Sequence, residues 1–137
     1  MKPMILCYNM TGGRAGGIRQ VAEGLGIIVR PVQKEEYHQT LAALCGLEDM
    51  AGDGCEDPGF EEEMMVLAFF PQGMLSQLLD GIREAGQAPV ALKAVLTQAN
   101  SRWDSLALHK ELREEHAFFR RREEARAKGK RQPGEEG

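Results

Sequence analysis

Lys93 is the residue with the clearest chemical potential, because it lies in the apolar run Val90 to Thr97, where a charge must be paired, reach water or meet a ligand. In an extended chain one side shows Val90, Leu92, Ala94 and Leu96, and the other Ala91, Lys93, Val95 and Thr97. Two readings of the lysine stand side by side. On a sheet edge its stem lies on apolar surface while the ammonium reaches water and discourages edge pairing. Alternatively the ammonium, with Thr97, Asn100 and the turn Asn9 to Thr11, points at an anionic or carbonyl ligand. Trp103 divides in the same way, between a hydrophobic staple at the start of the last helix and a pocket wall. A second source of chemistry is Thr11-Gly12-Gly13, a glycine turn leading into a helix whose first amides could cradle an anion.

Reaction motifs fail on spacing. A Walker loop needs Lys and Ser or Thr after its second glycine; Gly12 and Gly17 have the four-residue gap, but Ile18-Arg19 follows. Gly12, Gly13, Gly16 and Gly17 do not make G-x-G-x-x-G. Cys7 to Arg14 is C-x6-R rather than C-x5-R, and Cys7 lies inside a strand, as a small core residue would. Phosphoryl-accepting receiver chemistry needs carboxylates where the first and third strands end, and Tyr8-Asn9 and Phe69-Phe70 stand there. His38, His109 and His116 form no i, i+4 metal pair. Asp53-Gly54-Cys55-Glu56-Asp57 lacks the alternating oxygen ligands of a calcium loop. With no paired nucleophile and base and no metal or cofactor motif, the residues favour binding over catalysis.

The elements that must position these residues alternate. Met4 to Tyr8 reads as a buried strand; Ile18, Val21, Ala22 and Leu25 mark one face of a helix ending near Gly24 or Gly26. Ile27 to Arg30 is a second strand stopped by Pro31, and Glu35 to Leu47 a second helix with Tyr37, Leu41, Leu44 and Cys45 inward. Residues 48–63 carry eight acids and no base, a long solvated loop. Met64 to Phe70 is the most apolar strand, and Pro71 opens a third helix with Leu75, Leu78, Leu79, Ile82 and Ala85 inward. Val90 to Thr97 is the fourth strand. Asn100 or Ser101 caps a last helix that buries Leu108, Leu112 and Phe119. No internal repeat is visible.

This βαβαβαβα pattern predicts one α/β domain over residues 1–119: a small four-stranded, mostly parallel sheet in the order 2-1-3-4 with helices on both faces, flavodoxin-like or Rossmann-like. Residues 120–137 are expected to be a charged, disordered tail. In a parallel sheet of this order the strand ends would bring Asn9, Thr11, Gly12, Gly13, Lys93, Thr97, Asn100 and Trp103 to a single site.

Charge and cysteine content bound the partners. The tail holds seven Lys or Arg against four Glu, whereas residues 1–119 hold ten against 17 Asp or Glu. An acidic body argues against nucleic acid as its main partner. The last helix and basic tail could instead engage a protein. Three scattered cysteines suggest neither disulfides nor zinc. No apolar run approaches the roughly 18 residues of a membrane helix, and Met1-Lys2-Pro3 does not open a signal peptide, so a cytoplasmic location is expected.

The residues Tyr8-Asn9-x-Thr11-Gly12, Arg30-Pro31-Val32-x-x-Glu35-Glu36-Tyr37, Leu92-Lys93-Ala94-Val95-Leu96-Thr97-x-x-Asn100-x-x-Trp103 and Leu108-x-x-Glu111-Leu112 together resemble the bacterial domain of unknown function 3783 family. The resemblance spans about Met4 to Glu115. It implies a bacterial, cytosolic, small α/β protein and carries over no catalytic residue. The function expected is binding of a small anionic ligand at the C-terminal ends of the strands, the alternative being a protein-interaction module built on the last helix.

Overall fold

The computed structural model describes residues 1–52 and 54–136, with backbone alone beyond residue 127. The elements are β1 (Met4–Tyr8), α1 (Gly12–Gly24), β2 (Ile28–Pro31), α2 (Leu41–Leu44), β3 (Met64–Ala68), α3 (Met74–Glu84), β4 (Leu92–Val95) and α4 (Ser105–Glu136). Single 3-10 turns, Lys34–Glu36 and Asn100–Arg102, precede α2 and α4. The strand order β2-β1-β3-β4 is the expected one. Alternate residues serve the two faces, as the pleat requires. Leu6, Tyr8, Met64, Val66 and Leu92 pack under Tyr37, Leu41, Leu44 and Leu108, whereas Ile5, Cys7, Met65 and Leu67 pack under Ile18, Ala22, Leu78 and Ile82. Helices therefore cover both faces.

The sheet is parallel in two of its three pairings, as expected, but mixed, because its central pairing is antiparallel. β1–β2 and β3–β4 are parallel pairs, but β1 and β3 are antiparallel. The second helix is one turn rather than the expected span of Glu35 to Leu47. Thr40 interrupts it by capping α2, its Oγ1 accepting from Ala43 N at 3.0 Å, and Gly46 at φ 81° lies just past its end. Four helical residues advance about 6 Å, against ~17 Å for a five-residue strand. The chain is not carried back along the sheet, so β3 starts beside the end of β1, where Met64 faces Tyr8.

This arrangement hides a repeat. The register of β1 on β3 (Met4 on Ala68, Leu6 on Val66, Tyr8 on Met64) is unchanged when the strands are exchanged, so a pseudo-twofold axis passes between Leu6 and Val66. The exchange maps β1-α1-β2-α2 onto β3-α3-β4-α4. Asn9 at φ 61° matches Phe69 at 63°, and Gly26 at 77° matches Gly86 at 78°. Val32 N donates to Cys7 O at 2.9 Å as Leu96 N donates to Leu67 O at 2.8 Å. Gln33 N donates to Glu36 Oε1 at 3.0 Å as Thr97 N donates to Asn100 Oδ1 at 2.8 Å. Thr40 caps α2 as Asp104 Oδ1 accepts from Ala107 N at 2.8 Å to cap α4, and the two capping residues form an isolated bridge. Near the axis α1 meets α3 closely: a Cβ on Gly81 would lie 2.5 Å from Val21 Cγ1.

The last helix departs from expectation in two ways. Asp104, not Asn100 or Ser101, caps it, because those two residues lie in the 3-10 turn. Phe119 is exposed rather than inward, as is Phe118, since α4 leaves the body after Leu112 and every described side chain from Arg113 onward is exposed. Its backbone is helical to Glu136, through a stretch whose composition predicts fraying and disorder. Among the described residues no helix is long and apolar enough to cross a membrane.

Candidate functional site

Because β1 and β3 run in opposite directions, the strand ends do not converge on one corner. Asn9, Thr11, Gly12 and Gly13 lie where β1 and β2 finish; Thr97, Asn100 and Trp103 follow β4, which finishes at the other end of the sheet.

The second group is self-contained. Thr97 and Asn100 exchange hydrogen bonds, Thr97 N to Asn100 Oδ1 at 2.8 Å and Asn100 N to Thr97 Oγ1 at 3.1 Å, while Asn100 Nδ2 donates to Val95 O at 2.9 Å. Asn100 is buried and its polar groups serve the corner itself. Trp103 contributes its carbonyl to Leu41 N at 2.9 Å and leaves its side chain 38% exposed. Lys93 lies on edge strand β4, level with Met65 and Cys7 but two strands from β1, and its ammonium donates to Val90 O at 3.0 Å. This pairing answers the lysine's need for a partner locally.

Of the first group, Asn9 and Thr11 line a cleft of about 430 Å³ between the start of α1 and the segment that follows β2, and Gly12 and Gly13 are not in its lining. Cys7, Ile18, Val29 and Val32 give it an apolar floor, and Thr11, Arg19, Gln33, Lys34 and Glu35 a polar rim. Gly12 adopts φ 62°, which admits the tight turn from strand to helix. The first amides of α1 have no partner within the helix and face this end of the sheet.

Asn9 also lines the cleft, but its side chain is fully engaged. Nδ2 donates to Phe60 O at 2.8 Å and Glu62 O at 2.9 Å, and Oδ1 accepts from Tyr37 Oη at 3.3 Å. It therefore pins the end of the acidic segment to β1. Arg14 reinforces that edge through Glu63 at 2.6 Å, and Lys34 pairs with Glu61. Arg19 has no ion-pair partner among the described residues.

The floor is not poised for reaction. Burial pushes the Cys7 thiol up to about 11, despite the opposing charge of Arg19, so the sulfur is protonated at neutral pH. Glu35 is the lone carboxylate of the lining, and the lining holds no histidine. Holding a ligand is what these groups can do. Among the described residues no cluster of three or more His, Cys, Asp or Glu is grouped to bind a metal.

Sequence reasoning missed Arg19, Gln33, Lys34 and Tyr37. The available signal was the segment after the second strand, since in a parallel βαβ unit the crevice opens between the two strand ends.

The fold and cleft together define a small α/β domain with a mixed four-stranded sheet flanked by helices, of flavodoxin-like or Rossmann-like topology. Residues 63–119 match the family model described as Domain of unknown function (DUF3783). The match takes in the Leu92 to Trp103 and Leu108 to Leu112 residues of the resemblance and leaves out those at Tyr8 to Gly12 and Arg30 to Tyr37, so it is narrower than the span expected from sequence. It covers β3, α3, β4 and the start of α4, the second half of the repeat, and stops short of the cleft. No curated protein and no solved structure matched the chain.

Proposed function

We propose that this chain is a binding domain for a small anionic molecule, taken up in the cleft where β1 and β2 end. The observation that carries this reading is the cleft itself, with an apolar floor and the unpaired Arg19 guanidinium on its rim. A cationic group with five donors suits a carboxylate or phosphate. Of the residues expected from sequence, this reading uses Thr11, with Asn9 also in the lining, and its cation is Arg19 in place of Lys93.

Amide NMR titration with inorganic phosphate, acetate and benzoate tests the reading. At least one of these should shift signals within 11–19 and 33–37. Ala15→Trp, which fills the cleft from α1, should weaken that binding at least tenfold while the fold persists. Shifts centred elsewhere, or binding untouched by Ala15→Trp, would exclude the cleft as the site.

A further inference from the structure

The pseudo-twofold supplies an internal control for which cleft residues the fold requires. The second half builds the same left-handed residue after its first strand, the same strand-end hydrogen bonds and the same helix cap. It does so with different side chains. Where the first half has Thr11, Arg19, Lys34 and Glu35, the matching positions hold Pro71, Leu79, Gln98 and Ala99. The backbone evidently forms without the polar set. Lys34 has a separate structural use in the first half, through Glu61, and Asn9 ties down Phe60 and Glu62. Thr11 and Arg19 have no such use: they form no side-chain hydrogen bond or ion pair among the described residues.

The floor narrows the ligand further. Ile18, Val29 and Val32 offer apolar surface beside a rim where, among the described residues, Arg19 is the one cation without an ion-pair partner. A polyanion would meet Glu35 with a single guanidinium to offset it, since the Lys34 ammonium is taken up by Glu61. A fully hydrated inorganic anion would leave the apolar floor unused.

We infer that the ligand is a small organic monoacid, its carboxylate held by Arg19 and Thr11 and its apolar body laid on Ile18, Val29 and Val32, and that the twofold-related corner of the second half takes no such ligand. The inference rests on the binding reading above. It also places the site outside the residues shared with the uncharacterised family.

The test uses the full chain and matched probes: benzoate against benzamide, hexanoate against hexanamide, and inorganic phosphate, each followed by amide NMR. The acids should shift signals across 11–19, while the neutral amides and phosphate bind at least tenfold more weakly. Arg19→Gln should lower affinity for the acids about tenfold or more. Leu79→Gln, at the matching position of the second half, should leave it unchanged. Equal binding of acid and amide would overturn the charge assignment here and the anionic character in the reading beneath it, leaving the cleft as the place of binding. Phosphate binding as tightly as the acids would overturn the apolar body while the reading beneath it stands. If none of the probes shifts residues 11–19, both this inference and the reading beneath it fall.

Discussion

Cys7 and Cys45, read from sequence as core residues, lie inside the fold. Both thiols are buried, and burial pushes each from the ordinary value of 9.0 to about 11. Cys55 is more accessible. In the native protein a thiol-specific disulfide reagent at pH 8 should therefore modify Cys55 first, with Cys7 and Cys45 reacting only as the chain unfolds; prompt modification of all three would contradict their burial. The same shifts set a pH dependence. Between about pH 9 and 11 the unfolded chain loses thiol protons that the folded chain keeps, so stability is complete below that window and falls as pH rises through it. The loss should approach roughly 3 kcal/mol per thiol. Tyr8, whose hydroxyl is also raised by burial, acts in the same direction. Urea denaturation across this range, repeated on Cys45→Ala, checks the size and sign.

At the scale of elements, the decisive object is the connection from β2 to β3. A one-turn α2 leaves the chain at the end of β1, and the acidic segment is held there by Asn9, Arg14 and Lys34. Asn9 does two jobs at once, adopting φ 61° and donating to two carbonyls. Asn9→Ala loses both and should cost about 2–4 kcal/mol. Asn9→Gly keeps the left-handed backbone and should recover about 1–2 kcal/mol of that. Chemical denaturation of the two variants separates the contributions, and equal stability of Ala and Gly would show that the backbone conformation carries no cost. In both, amide exchange should quicken across 60–63, where the anchored strand entry is released.

For the whole molecule, the pseudo-twofold makes β1 and β3 a shared centre rather than the edges of two half-sheets. Leu6 and Val66 face one another on the axis, both fully buried. Tyr8 Oη and Ser105 Oγ, also fully buried, meet at 2.7 Å and join the first half to α4. Leu6→Ala should destabilise by about 2–5 kcal/mol, and the loss should appear in both halves together as a single cooperative transition. Two separate unfolding steps, one per half, would show that the halves are independent bodies.

Several elements were legible from side-chain type alone. Alternation of apolar runs with helical spacing identified four strands, the faces of α1 and α3 and the coverage of both sheet faces, because burial requires those patterns in any arrangement. The Gly12 turn was also visible, since a strand-to-helix turn with glycine is a local property. Strand direction was not, because a fully buried strand such as Met64–Ala68 has the same composition whichever way its neighbour runs. Nor was the repeat, which resides in dihedral angles and hydrogen bonds that Asn9 and Phe69, or Glu36 and Asn100, satisfy with unlike side chains. Direction then decided the site. Once β3 ran against β1, Asn100 and Thr97 were carried to the far end and spent on their own corner, Lys93 found Val90, and Arg19 was left beside Thr11. Local periodicity in the amino-acid sequence determined most of the buried faces, Phe119 excepted; which polar residues share a cleft depended on long-range pairing, and only the tertiary structure contains that.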